Sequence, residues 1–394
     1  MRSGSDFGDD SGDDSGGGRS DGPGALVHVV RFAPAKLNLT LAVLGKRDDG
    51  YHALHSIMAP LSLGDALTVS AAPATATRDS LRVSGLPLPP DRDNLVLKAI
   101  IAARAAVSET WHGGPIFPPA LAARLAKRIP VAAGLGGGSS DAAAAIRAAL
   151  AAWSARLEPD ATLALASSLG SDVPFFFADG IALVTGRGEF VEPLPELGGE
   201  PPAVLLVTPQ VPLSTAAVFK AYANGVREAD EGLARGSSER LAADLRSGMT
   251  GADLLAWASE LAAANDLRRA AASIVPGLRG FGSALENLIE RPVCQSGSGP
   301  TVWALYASLA EARKAVRIVR LAAVNGTLPL VGAGEPFIAA TTIARRRPSP
   351  PAQPEDGAAG TIRPRSVHNW SDADDPDPGA PRRGLNQSKG DESR

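Results

Sequence analysis

Residues 130–150, P-V-A-A-G-L-G-G-G-S-S-D-A-A-A-A-I-R-A-A-L, decide how the chain is read. Gly134, Gly136, Gly137 and Gly138 leave a backbone that can take φ > 0 and lie against a ligand with no side chains in the way. Ser139, Ser140 and Asp141 are cap-forming residue types, and the alanine-rich run 142–153 is a strong helix former, so the loop is expected to feed a helix N-terminus. The first N–H groups of such a helix are unpaired and its dipole is positive there, which makes phosphate the best-fitting ligand. The loop is not a Walker A motif, which needs a lysine before the hydroxyl. It is not a dinucleotide fingerprint either, because Ser139 stands where the third glycine would fall in the frame starting at Gly134. A plain flexible turn before a helix has the same composition, so the neighbouring sequence has to separate the two readings.

Upstream, residues 26–32 alternate as a strand, and A-P-A-K-L-N-L-T-L at 33–41 reads as a second short strand. Period two places Lys36 and Asn38 on one face and Leu37, Leu39 and Leu41 on the core face. The polar turn 45–52 ends in the aromatic pair Tyr51-His52. Residues 57–70 read as strand, turn at Gly64-Asp65, strand, and 81–83 continue the sheet. A helix over 94–106 has Arg92, Asp93 and Asn94 as cap candidates, and the alternation at 120–129 delivers Lys127 and Arg128 just ahead of the glycine loop. Downstream, a short helix at 162–169 leads into L-G-S-D-V-P-F-F-F, where Asp172 lies between a helix end and an aromatic run expected to desolvate it. A hairpin at 181–184 and 189–191 follows, around Thr185-Gly186-Arg187-Gly188.

The Pro/Gly-rich segment 193–202 reads as an interdomain linker. Beyond it come a strand at 204–208, helices at 219–221, 238–245 and 267–272, and a second glycine turn, Gly297-Ser298-Gly299, before an apolar strand at 301–305. A helix at 309–321 and a strand near 337–342 complete the pattern. Two folded domains are expected, 25–192 and 203–342, between an acidic tail at 1–24 and a Pro/Arg-rich tail at 343–394 that lack the apolar content to offset ordering.

With 394 residues and 44% hydrophobic content the chain can bury a sizeable core. A net charge of -3 and a pI near 6.0 argue against a dedicated nucleic-acid binder and leave small metabolites open. A lone cysteine, Cys294, suits a reducing cytoplasm. No apolar run reaches membrane-span length, and the acidic N-terminus lacks the features of a leader. The sequence leaves monomer and homodimer both open.

Three separated stretches resemble one family. A-P-A-K-L-N-L with G-K-R-x-D-G-Y-H, P-x-x-x-G-L-G-G-G-S-S-D-A-A, and G-S-D-V-P-F-F are together similar to the GHMP kinases, small-molecule kinases whose glycine loop differs from the P-loop. The resemblance covers roughly 31–342 and implies an α+β, two-domain GHMP kinase fold, with an N-terminal ribosomal-S5-like βαβ domain and a C-terminal ferredoxin-like α/β sandwich. It implies ATP as co-substrate with Mg2+, and a catalytic pair in which Lys36 supports Asp172 as the base that takes the alcohol proton. An alcohol is a poor nucleophile until such a base is in place, and a lysine beside Asp172 would keep the carboxylate ionised.

The same resemblance assigns ATP to Asn94, Lys127, Pro130, Gly134, Leu135, Gly136, Gly137, Gly138, Ser139 and Ser140. Ser140 is the candidate protein contact for Mg2+, and Asp141 is left as a helix cap. The G-Y-H segment points to the branch acting on a cytidine-diphosphate-linked methylerythritol. Tyr51 and Phe219 would there sandwich the cytosine, His52 would read its polar edge, and Asn38 and Thr215 would contact the diphosphate-linked side. A homoserine or mevalonate kinase would share the loop but carries no base to stack, and a non-catalytic nucleotide binder would have no use for both Lys36 and Asp172.

Overall fold

The computed structural model describes residues 28–73, 75–88, 94–108, 118–226 and 232–346. Residues 1–24 and 347–394 of the expected tails and the cap candidates Arg92 and Asp93 lie outside the described residues, as do residues 26 and 27 of the first expected strand.

The fold is α+β and is organised on one long strand. A seven-stranded sheet contains β1 (Val29–Asn38), β2 (Ala42–Lys46), β3 (His52–Ala71), β4 (Ser80–Gly85), β5 (Leu121–Lys127), β6 (Ala182–Gly186) and β7 (Phe190–Pro193). The 20-residue β3 pairs with β2 and then β1 along one edge, and with β6 and then β5 along the other. The two strands expected at 26–32 and 33–41 are a single β1 with a register shift between Pro34 and Lys36. Proline cannot donate to a ladder and is tolerated at such an irregularity.

The turn expected at Gly64-Asp65 does not exist. Gly64 continues β3 because a Cβ there would lie 2.4 Å from the Phe32 ring and 2.6 Å from the Ala33 carbonyl, so the glycine answers a packing demand and not a turn. Asp65 is fully buried and ion-paired to Lys127.

The second sheet is antiparallel, in the order β11 (Phe337–Thr342), β8 (Ala203–Thr208), β10 (Val302–Tyr306), β9 (Cys294–Gln295). Every residue of β8 is buried, and its alternation splits between two cores: Leu205 and Val207 face one, Val204 and Leu206 the other. The helices fall into sets. α1 (Leu95–Ser108), α2 (Gly137–Ala152) and α3 (Pro159–Leu169) cover the outer face of the large sheet. α4 (Thr215–Ala223), α8 (Arg268–Ile274), α9 (Leu278–Ile289) and α10 (Leu309–Val324) cover the outer face of the small one. α5 (Leu233–Arg246), α6 (Gly251–Ala256) and α7 (Ala258–Ala263) help fill the space between the sheets.

That middle core joins Leu37 and Ile57 of the large sheet, with Leu39 just past the end of β1, to Trp303 and Leu305 of the small one, and it also takes in Ala133 and Leu135 of the glycine loop and Ile129 just before it. Packing continues past the expected end of the folded region, since Ile343 is buried and bridges to Leu61.

Replacing Gly64 by Ala should cost about 1–3 kcal/mol in chemical denaturation, the usual penalty for overpacking a closed site. An unchanged midpoint would mean that β3 bends away from Phe32 at this point.

Candidate catalytic cavity

A cavity of about 460 Å³ lies between β1, the glycine loop, the Asp172 turn and the start of α4. Of the residues singled out from the sequence, Lys36, Asn38, Asn94, Lys127, Pro130, Gly134, Leu135, Gly136, Gly137, Gly138, Ser139, Asp172, Thr215 and Phe219 line it. Ser140, Tyr51 and His52 do not.

The glycine loop enters α2 differently from the cap expectation. Gly136 is the N-cap, at φ 68°, and no side chain caps the helix; Ser139, Ser140 and Asp141 lie inside its first turns. A Cβ on Gly136 would meet Lys36 Cγ at 2.8 Å, so this position requires glycine both for its backbone angle and for the approach of Lys36. Gly134 faces the second glycine turn, where a Cβ would come within 2.4 Å of the Ser296 carbonyl. The small residues ahead of the loop are not all relaxed, because Ala132 takes φ 53°, a conformation uncommon outside glycine.

Asp141 is no cap. It accepts from the buried Lys127 amine at 2.8 Å, and Lys127 also pairs with Asp65. Asp65 in addition accepts from the backbone N–H groups of Arg128 and Ile129, the latter at 2.9 Å. Burial, reinforced by the Asp65 charge and opposed by Lys127, raises the Asp141 carboxyl to about 7. The Lys127 amine thus sits under the loop between two carboxylates. Asn94 begins α1, its Oδ1 accepting from the Val96 N–H at 2.9 Å.

Lys36 Nζ stands 3.4 Å from Asp172 Oδ2 and donates to Asn38 Oδ1 at 2.6 Å, so the lysine and asparagine do share one face. The asparagine's orientation follows from its neighbour. Ser56 Oγ donates its only proton to the Thr40 carbonyl at 2.5 Å and can therefore only accept from Asn38, whose Nδ2 donates to it at 2.8 Å. Asn38 Oδ1 is then left for Lys36. The aromatic run does not desolvate Asp172: Phe175 and Phe176 turn into the outer core, while the aspartate side chain keeps 34% exposure.

The segment around Tyr51 is tied to the hairpin that follows β6. The Arg187 guanidinium lies 5.1 Å from the centre of the Tyr51 ring, and Arg47 pairs with Glu189 at 3.4 Å. The His52 ring stacks on Phe219 with centroids 5.3 Å apart, and Thr215 Oγ1 is 3.0 Å from Ser298 Oγ.

Several cavity residues escaped sequence reasoning. Gly297 and Ser298 line it from the second half of the chain; Ser296 Oγ donates to the Gly134 carbonyl at 2.9 Å, and Asn265 Nδ2 donates to the Gly297 carbonyl at 3.0 Å. The second glycine turn was the available signal. Cys294 is buried, which pushes its thiol up and removes it as a nucleophile. Among the described residues no three His, Cys, Asp or Glu side chains cluster to hold a metal, and no helix is long and apolar enough to cross a membrane.

Residues 94–180 match the family described as GHMP kinases N terminal domain. A 4-diphosphocytidyl-2-C-methyl-D-erythritol kinase of Pelotomaculum thermopropionicum is 38% identical over 73% of this chain and 92% of its own length. The protein of that name from Paramagnetospirillum magneticum is 40% identical over 72% and 90%. The chain belongs to this family of GHMP kinases. A crystal structure of a 4-(cytidine 5'-diphospho)-2C-methyl-D-erythritol kinase, 29% identical, superposes with a TM-score of 0.55 over 80% of this chain and 99% of that one. The family is one of phosphotransferases, and the cavity carries a glycine loop on a helix N-terminus with a lysine–aspartate pair beside it.

Two outcomes follow from this geometry. The folded Asp141 carboxyl keeps its proton up to about 7, while an unfolded one releases it near 3.8, so this group's contribution to stability falls as pH rises through that window. Asp141→Asn removes the dependence, and in thermal melts the variant should gain on the parent by about 1 kcal/mol or more between mildly acidic and mildly alkaline pH; parallel curves would refute the shift. Ser56→Ala should cost roughly 1–3 kcal/mol in chemical denaturation by stranding the Asn38 amide, and should slow turnover; unchanged stability would mean that Asn38 finds another acceptor.

Proposed function

We propose that the chain transfers the γ-phosphoryl group of ATP to the 2-hydroxyl of 4-diphosphocytidyl-2-C-methyl-D-erythritol. The observation that carries this reading is the Lys36–Asp172 pair, 3.4 Å apart at the wall of a cavity whose adjoining wall is a glycine loop on a helix N-terminus. Phosphoryl transfer asks mainly for alignment and charge neutralisation, with a base for the incoming alcohol. Asp172, partly exposed to the cavity, accepts the hydroxyl proton. Lys36, buried and steered by Asn38, balances the charge that appears there.

The triphosphate lies along residues 134–139, where the first N–H groups of α2 are unpaired and the helix dipole is positive. Ser140 Oγ is buried without a hydrogen-bond partner among the described residues, as an oxygen donor awaiting Mg2+ would be, but it lies behind the cavity lining and would have to turn toward the triphosphate to reach the ion. Mg2+ held there would supply positive charge against the phosphate oxygens.

The cytosine is placed between Tyr51 and Phe219. His52 already lies on the Phe219 ring, so in this reading the base takes over that face and the imidazole moves to the polar edge of the ring. Asn38 and Thr215 remain the candidates for the side of the substrate that carries the alcohol.

A coupled ADP-release assay should show turnover with the cytidine diphosphate alcohol and none with homoserine or mevalonate. Asp172→Asn should lower turnover about 10²–10⁴-fold with the Michaelis constants for both substrates nearly unchanged. Near-normal turnover in this variant would remove Asp172 as the base, and equal rates with homoserine would overturn the substrate.

A further inference from the structure

A second cavity, of about 680 Å³, opens between α8 and α9 and shares no lining residue with the first. Arg268 and Arg269 of α8 and Arg279 of α9 bring three guanidinium groups to it, and among the described residues no carboxylate lines it. Like charges gathered around one concavity hold a field that favours an anion, and guanidinium matches phosphate oxygens in geometry as well as charge. Ser283 adds a neutral donor.

Arg268 and Arg269 are both already engaged within the protein. Arg268 Nη1 donates to the Ala262 carbonyl at 2.8 Å, and a Cβ placed on the lining residue Gly282 would lie 4.0 Å from Nη2. The buried Leu278 and Val302 supply an apolar floor. Arginines above an apolar floor fit a phosphate attached to an organic body better than a bare inorganic ion.

The two cavities are joined by short segments. Gln295 lines the second cavity, and its Nε2 donates at 3.2 Å to the carbonyl of Gly297, which lines the first. Asn265 Nδ2 donates to the Gln295 and Gly297 carbonyls, each at 3.0 Å. Leu267 lines the catalytic cavity while its neighbour Arg268 lines the other. We propose that the second cavity is a non-catalytic site for an organic phosphate, and that its occupancy reaches the catalytic cavity through Gln295 and Gly297.

The test uses the full chain saturated with a non-hydrolysable ATP analogue, so that the glycine loop is filled. Hexyl phosphate and inorganic phosphate are each titrated by calorimetry. Hexyl phosphate should saturate one site and bind about fivefold or more tighter than inorganic phosphate, and Arg268→Gln and Arg279→Ser should each weaken it about tenfold. In steady-state assays hexyl phosphate should shift the alcohol's Michaelis constant in the parent and not in Arg279→Ser. Absence of saturation, equal affinity for the two anions, or unchanged affinity in the variants would overturn the site, and binding without any kinetic shift would overturn the coupling. Arg279 is exposed, so its variant decides the matter even if Arg268→Gln fails to fold. The calorimetric readout does not depend on which alcohol the enzyme phosphorylates.

Discussion

The Lys127 amine, buried between Asp65 and Asp141, fastens three elements to one point: β3 through Asp65, β5 through the lysine itself, and α2 through Asp141. A loop rich in glycine has much entropy to lose on ordering, and this one loses it before any ligand arrives. Its entry is fixed by Asp65, which takes the N–H groups of Arg128 and Ile129, and its exit by Asp141. Between these ends the Leu135 carbonyl accepts from the Lys36 N–H at 2.9 Å, and the Gly134 carbonyl accepts from Ser296. A backbone held at both ends and twice in the middle is preorganised, so in the proposed phosphate-binding role little ordering cost would remain to be met on binding.

Burying two carboxylates against one ammonium is an expensive way to build such a clamp, and the raised Asp141 carboxyl records the expense. The arrangement also makes Lys36 part of the loop. Lys36 is hydrogen-bonded to the loop through its backbone and packs its side chain against Gly136, while its amine reaches Asp172. Movement of the loop is therefore movement of Lys36, and the proposed phosphate and proton-accepting sites keep one geometry.

Local pattern revealed the parts of this site that lie within a few residues of one another. Period two placed Lys36 beside Asn38, and the glycine run before an alanine-rich segment located the loop and its helix. The pattern misled where one residue type serves two physical ends. Gly64-Asp65 has the composition of a turn, yet Gly64 is small to admit the Phe32 ring and Asp65 is acidic to hold Lys127; both causes lie on other strands. Glycines at 134 and 136 look like phosphate contacts, but each also makes room for protein, Ser296 in one case and Lys36 in the other. Ser56, Asn265 and Ser296 could not be singled out, because what gives them meaning is a hydrogen bond across a sheet or between the halves of the chain.

The stack of His52 on Phe219 bears on how the base would be chosen. An imidazole on that ring keeps its face covered, so a flat ligand gains only the difference between its own stacking and that of the histidine. Stacking alone then separates aromatic ligands poorly, since any ring can exchange for His52. Discrimination has to come from the displaced imidazole, which can pair with a polar edge and loses its partner when the edge does not match. In this account Phe219 supplies a place, Tyr51 a second wall steadied by Arg187, and His52 the choice among bases.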